Sequence, residues 1–302
     1  MFGEHAVVYG RPAIAVPVLQ VRAKAIVSMD PRSPAGLVKL QAPDIELETT
    51  LDDLPENHPL AAVLRKAAAT LKLTHIPACT IKVISTIPIA GGMGSGAAVS
   101  VAILRAFSAS MGHPLSDEQV SQLAYEVEVI HHGTPSGVDN SVITYGKPVF
   151  FVKGRAIETL RVSQPFSLVI GDTGVQSPTS SVVSDVHRAW ERAPAQFNAL
   201  FDAAGEIASA ARKSIESGSV DKLGPLMDEN QALLRKMGVS SPELEQLIQA
   251  ARSSGALGAK LSGAGRGGNM IALVTPEQAG SVARLIEDAG AVRTIITEIP
   301  KT

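Results

Sequence analysis

The chain has almost no cysteine and no surplus of charge of either sign. Its one cysteine, Cys79, excludes an internal disulfide and fits a reducing cytosol. Apolar neighbours Ala78 and Ile81 describe a buried small hydrophobe there instead of a reactive thiol. With 27 Lys and Arg against 29 Asp and Glu, the net charge is −2, so no long-range field draws nucleic acid or an anionic membrane, and an anionic ligand has to be held locally. No apolar run approaches the roughly 18 residues that cross a bilayer. The opening Met1-Phe2-Gly3-Glu4-His5 lacks signal-peptide architecture. A cytoplasmic protein without nucleic-acid or membrane partners is expected, and the chain carries neither repeats nor low-complexity segments.

What is present is core and glycine. The length of 302 residues suits two domains, and 45% hydrophobic with 19% charged residues describes a well-packed chain. The run Ile84 to Phe107 sets Gly91, Gly92, Gly94 and Gly96, with Ser95, between a strand pattern and an Ala/Val/Ile-rich helix pattern. Glycines let the backbone approach an anion, and the N–H groups opening the helix carry partial positive charge. That is the layout of a phosphate cradle, or else of a strand-to-helix turn that is merely glycine-rich. No Lys-Ser or Lys-Thr follows its last glycine and it lacks Gly-x-Gly-x-x-Gly spacing, so it is neither a Walker A loop nor a dinucleotide fingerprint.

Along the rest of the chain, Ile14 to Met29 reads as extended, Pro55 to Leu73 contains an amphipathic helix, and Thr80 to Thr86 alternates as a strand. Ser116 and Gln119 form a capping box opening a helix whose apolar stripe is Val120, Leu123, Ala124, Val127 and Ile130. Glu128 sits about 100° around from Val127, at the edge of the packed face. From about Pro165 a second organisation begins. It has a buried strand at Ser167 to Gly171, helices from Ser180 to Met237 punctuated by Gly218 and Gly224-Pro225, and a helix opened by Ser241-Pro242-Glu243. Strands at 259–261, 270–275 and 292–299, with a Pro276-led helix before the last, make the tail an α+β sandwich.

Three more patches join the first loop: Gly3-Glu4-His5-Ala6-Val7-Val8-Tyr9-Gly10, His132-Gly133-Thr134-Pro135-Ser136-Gly137-Val138-Asp139-Asn140, and Lys260-Leu261-Ser262-Gly263-Ala264-Gly265-Arg266-Gly267-Gly268. Asp139 follows a Pro-Ser-Gly turn that aims it away from a packed face, or else forms an Asx turn with Asn140. His131 and His132 do not make a metal pair, because adjacent side chains on a helix do not face one another.

Four such patches in this order make nearly the whole chain resemble the GHMP kinases. GEHAVVYG and the segment Ile170 to Gly174 with Ser177-Pro178-Thr179 are similar to the mevalonate kinases of short archaeal and bacterial type. The resemblance implies an α+β, two-domain GHMP kinase fold. Residues 1–164 would be an N-terminal α/β domain with a left-handed βαβ phosphate loop, and residues 165–302 a ferredoxin-like C-terminal domain. It implies ATP- and Mg2+-dependent phosphorylation of the 5-hydroxyl of (R)-mevalonate in isoprenoid synthesis, by a monomer or homodimer.

Residue by residue, it assigns Asp139 to the proton of the acceptor hydroxyl and Pro88, Gly91, Gly92, Met93, Gly94, Ser95 and Gly96 to the nucleotide. Glu128 and Ser95 go to the metal, and Glu4, His5, Thr179, Gly263 and Ala264 to the acceptor. The chain departs from the family pattern at Gly96, where a second serine commonly stands, and at Arg266, which interrupts a glycine series and would reach either a phosphate or solvent. Met1 also falls after the family's Ala-Pro-Gly-Lys strand, so further residues are expected upstream. Another GHMP acceptor remains open, as does a catalytically silent binding protein, against which Asp139 and Glu128 argue.

Overall fold

The computed structural model describes residues 1–87, 93–132 and 135–302, apart from the side chains of residues 131 and 132. In chain order the strands are β1 (Ala13–Ala15), β2 (Ala23–Met29), β3 (Val38–Ala42), β4 (Leu47–Thr50), β5 (Cys79–Ser85), β6 (Val149–Phe151), β7 (Glu158–Thr159), β8 (Phe166–Asp172), β9 (Gly258–Ser262), β10 (Asn269–Val274) and β11 (Arg293–Ile299). The helices are α1 (Pro59–Thr70), α2 (Ser95–Ser110), α3 (Asp117–His132), α4 (Val138–Tyr145), α5 (Thr179–Arg192), α6 (Pro194–Ser217), α7 (Leu223–Lys236), α8 (Pro242–Ser253) and α9 (Ala279–Asp288). They fall into two compact units: Val21–Ile89 with Gly94–Tyr145, and Met1–Gln20 with Ala90–Met93 and Gly146–Thr302.

The first unit is built on the sheet β2-β5-β3-β4, in which β3 runs parallel to β5 and the other pairings are antiparallel. Alternation in β5 decides its faces. Cys79, Ile81 and Val83 point into a core with Leu64 of α1, Leu104 and Phe107 of α2 and Ala124 of α3, while Lys82 and Ile84 point out. Burial also pushes the Cys79 thiol pKa up, which keeps it unreactive. The capping box forms as its spacing requires: Gln119 N–H donates to Ser116 Oγ at 3.3 Å, and Ser116 N–H donates to Gln119 Oε1 at 3.0 Å.

The extended reading of Ile14 to Met29 needs correcting. The segment divides into β1 and β2, which belong to different sheets. Pro17 has no N–H to give a ladder, and Leu19 is exposed, so the chain leaves one sheet before joining the next.

The second unit carries the sheet β11-β8-β10-β9, antiparallel throughout. With α5 to α8 between β8 and β9 and α9 between β10 and β11, this is the ferredoxin-like order. Both faces are covered. Val169, Met270, Ala272 and Val274 enter one core with Leu247, Val282 and Ile286, while Leu168, Ile170, Ile271 and Leu273 enter another with Ile207 and Met227. That is why β8 and β10 read as continuous apolar runs in place of alternating ones. The small sheet β1-β6-β7 joins the second core through Ile14 and Phe150, and Phe2 bridges to Ile14.

Gly224-Pro225 marks a helix boundary as the sequence implies: α6 ends at Ser217, and the pair lies in the first turn of α7, where proline is tolerated. The glycine is needed for packing: a Cβ on Gly224 would come within 2.0 Å of Leu257 O, and one on Gly258 within 2.2 Å of Gly224 O. Helix α7 therefore meets β9 backbone to backbone.

Candidate active site

In the first unit, the sequence places a helix start beside two carboxylates. Gly94 is the N-cap of α2 in the left-handed region (φ 68°) and has no side chain of its own to cap the first turn, so the positive end of the helix dipole lies at this start. Helix α4 begins at Val138 and carries Asp139 in its first turn. Its neighbours fasten it. Asn140, buried, donates from Nδ2 to Ser121 O and Ser121 Oγ, both at 3.0 Å, and Ser141 Oγ donates to Gly137 O at 2.6 Å. Asn140 is thus engaged with α3 through its amide.

The glycines of α2 then set the spacing. A Cβ on Gly94 would lie 3.2 Å from Asp139 Cβ and 3.3 Å from Asp139 Cγ, and one on Gly96 would lie 3.0 Å from Glu128 Oε1. Two glycines, two residues apart, are where the backbone of α2 comes up against the two carboxylate side chains. Glu128 is half-buried, and its neighbour Glu126 is instead paired with Lys66 at 2.6 Å. Ser95 opens α2 between the two glycines. Among the described residues there is no cluster of three acidic, histidine or cysteine side chains that would cage a metal. One carboxylate with a neighbouring hydroxyl is the donor set of an Mg2+ that keeps water and phosphate as its other ligands.

In the second unit, the opening motif is wound tightly. Ala6 N–H donates to Glu4 O at 2.7 Å, closing a three-residue turn over His5 at φ 62° and ψ −48°. This is the rare positive-φ form of the γ-turn, strained for a residue with a Cβ. The His5 ring is buried, and Nε2 lies 2.8 Å from Ala264 O. Since a carbonyl only accepts, Nε2 carries the proton and Nδ1 is left as an acceptor. Burial is the chief reason the His5 pKa is lowered, so the ring is neutral.

Beside it, Lys260 on β9 is fully buried and donates from Nζ to Glu4 Oε1 and to Leu261 O, both at 2.5 Å. Burial works to raise the Glu4 pKa, but the Lys260 charge and hydrogen bond overcome it and hold the carboxyl below its ordinary value. Lys260 was not singled out from the sequence as a site residue. Its signal was a lysine between Ala259 and Leu261 in an apolar strand, at the head of a glycine motif.

Gly263 and Ala264 follow β9 in a loop held to its own unit, with Arg266 N–H donating to Val239 O at 2.7 Å and Gly268 N–H to Val175 O at 2.9 Å. Arg266 is exposed and reaches across to α5. Its guanidinium pairs with Asp185 of α5 and donates from Nε to Gly238 O at 3.2 Å. Thr179 is the first residue of α5 and is exposed; Pro178, not Thr179, is the N-cap. Met93 is partly buried against the core that holds Ile170 and Ile295. Pro88, Gly91 and Gly92 lie outside the described residues, as do the side chains of His131 and His132.

The family model for the GHMP kinases N terminal domain matches residues 59–147, and that for the GHMP kinases C terminal matches residues 211–291. The chain is 34% identical to a mevalonate kinase of Thermococcus gammatolerans over 100% of its own length and 93% of that relative's. Its structure is similar to that of L. major mevalonate kinase in complex with R-mevalonate, with a TM-score of 0.84 and 30% identity over 100% of this chain and 93% of the other. Streptococcus pneumoniae phosphomevalonate kinase, in complex with phosphomevalonate and AMPPNP, superposes with a TM-score of 0.83, covering 98% of this chain and 96% of that one. At 15% identity that likeness is one of fold alone.

Proposed function

The chain belongs to the GHMP kinases, and we propose that within this family it uses ATP to phosphorylate the 5-hydroxyl of (R)-mevalonate, giving 5-phosphomevalonate for isoprenoid synthesis. The geometry around α2 serves any acceptor of the family. The choice of acceptor is carried by the likeness over the whole chain to mevalonate kinases, one of them bound to R-mevalonate.

Phosphoryl transfer asks a protein for position and charge stabilisation more than for covalent chemistry. Asp139 takes the proton of the attacking hydroxyl, a role supported by its place in the first turn of α4 against Gly94. Pro88, Gly91, Gly92, Met93, Gly94, Ser95 and Gly96 hold the nucleotide phosphates, with the N–H groups that open α2 as donors. Glu128 and Ser95 are the protein ligands that fit Mg2+, which when bound neutralises phosphate charge. Glu4, His5, Thr179, Gly263 and Ala264 contact the acceptor, with the neutral His5 offering Nδ1 to a hydroxyl.

The deciding experiment is a coupled ADP-release assay on mevalonate, phosphomevalonate, homoserine and galactose. Mevalonate is expected to have the highest kcat/KM. Preference for another acceptor would overturn the substrate and leave the family standing, whereas ATP binding without turnover on any of them would favour the silent binding protein.

A further inference from the structure

The strongest unexplained feature is a lysine with no access to solvent. Lys260 is 0% exposed, on a strand whose flanking side chains Ala259 and Leu261 are core. Burying an ammonium is costly unless it is paired and hydrogen-bonded, and Lys260 is both, through Glu4 Oε1 and Leu261 O. A hydrophobic residue would serve the core at least as well, so stability is a poor reason for this pair.

The second observation is on the other side of the carboxylate. Glu4 Oε2 is buried and has no hydrogen-bond partner among the described residues. A carboxylate oxygen shut off from water is expensive to leave without a donor. The two oxygens of Glu4 are thus made unequal: Oε1 accepts from Lys260 of β9, and Oε2 awaits a donor. The turn that carries Glu4 is fixed as well, since its carbonyl closes the strained turn at His5 and the His5 ring bonds Ala264, four residues after Lys260.

We propose that Lys260 is a positioning residue: by bonding Glu4 Oε1 it fixes Oε2 as the atom that accepts a hydrogen bond from a hydroxyl of the acceptor, and so selects a hydroxyl over an anionic group at that point. This rests on the acceptor-binding role of Glu4 under the mevalonate kinase reading. An ionised carboxylate accepts from a hydroxyl and repels a phosphate or a second carboxylate. Lys260 acts only through Glu4, so the two should behave as one unit.

The test compares wild type, Lys260→Met, Glu4→Gln and the double variant, using the acceptor that wild type turns over best. Wild-type turnover of mevalonate tests the substrate reading by itself, before any variant is compared. Thermal shift with ATP reports folding in every variant.

For Lys260→Met, kcat/KM for the acceptor is expected to fall roughly 10- to 100-fold, as for other residues that orient a ligating group. The apparent KM for ATP should stay unchanged. The acidic limb of the kcat/KM profile should also move up by about 1–2 pH units, because Glu4 loses Lys260, the larger of the two cations acting on it, and keeps the amino group of Met1. In the Glu4→Gln background, Lys260→Met should cost nothing further.

A structural lysine would lower the melting temperature without moving that limb, and would add its loss independently to Glu4→Gln. Either result overturns the proposal. If Lys260→Met alone fails to fold, Glu4→Gln and the double variant decide, since the amide oxygen of Gln still accepts from Lys260 Nζ and the double variant leaves no buried charge at the pair. Equal kcat/KM in the two supports the proposal, and unequal values overturn it.

Discussion

Gly96 and Glu128 stand so close that a methyl group on the glycine would come within 3.0 Å of the carboxylate oxygen Oε1. Thirty-two residues apart in sequence, they meet because α2 and α3 pack side by side in one core. A Cβ at 96 would have to push Glu128 by a few tenths of an ångström. Gly96→Ala would favour the helix by up to about 1 kcal/mol, so its melting temperature should hold or rise. The shifted carboxylate should raise the Mg2+ concentration for half-maximal rate several-fold. Titrating Mg2+ at saturating ATP and mevalonate checks this, and an unchanged Mg2+ dependence would remove Glu128 from the metal.

Asp139→Asn should keep the fold and ATP binding, because Asn140 and Ser141 fasten α4 independently of residue 139. Turnover should fall by about 10²–10⁴-fold, the usual worth of a positioned proton acceptor. Steady-state kinetics beside thermal shift with ATP separate the two effects, and turnover near the wild-type value would exclude Asp139 from proton transfer.

Arg266→Gly is expected to be nearly silent. The arginine sits at φ 57°, a conformation that costs a side-chain residue about 1 kcal/mol and glycine nothing. What is lost is its solvent-screened pairing with Asp185 and the hydrogen bond to Gly238 O, which contribute little at an exposed site. The melting temperature should stay within a few degrees and the KM for ATP within about twofold, given how little a surface pair contributes. A tenfold rise in that KM would show the guanidinium bonding a phosphate after all.

Glu245 makes the structure acid-sensitive. Burial works against its ionisation, but Arg235, Ser240 and Gln231 hydrogen-bond it, and its pKa is lowered to about 2. A carboxyl depressed in the folded state stabilises fully above its unfolded pKa of 4.5, and that stabilisation is lost as pH falls from there towards about 2. Glu245→Gln should therefore cost about 1–2 kcal/mol at pH 7, discounted for partial exposure, and flatten the loss of stability between those two pH values. Urea unfolding across that range is the measurement, and an unchanged pH slope would mean that other carboxylates govern acid unfolding.

Much of this was written locally. The capping box at Ser116, the buried strand at Ser167 to Gly171 and the proline-led helix at Pro242 are decided by neighbours within a few residues, and they formed as their patterns require. The starts of α2 after Gly94 and of α4 after Gly137 follow local turn chemistry in the same way. Where a glycine also answers to a distant backbone, as Gly224 does to Leu257, local reading gives the helix boundary and misses the packing contact.

The sequence by itself determined many of the elements, the strand and helix succession of the tail and the residue types available for phosphoryl transfer, because periodicity, caps and turns act over a few residues. Only the tertiary structure decided which of them meet. It put the first twenty residues in one unit with residues 146–302, bonded Lys260 to Glu4 across 256 positions, turned Arg266 to Asp185, and set Gly94 and Gly96 against Asp139 and Glu128. The physical reason is that a buried charge, or a backbone without a Cβ, is satisfied by whatever packing brings within a few ångströms. That distance is fixed by the closing of the core and is carried by no single stretch of chain.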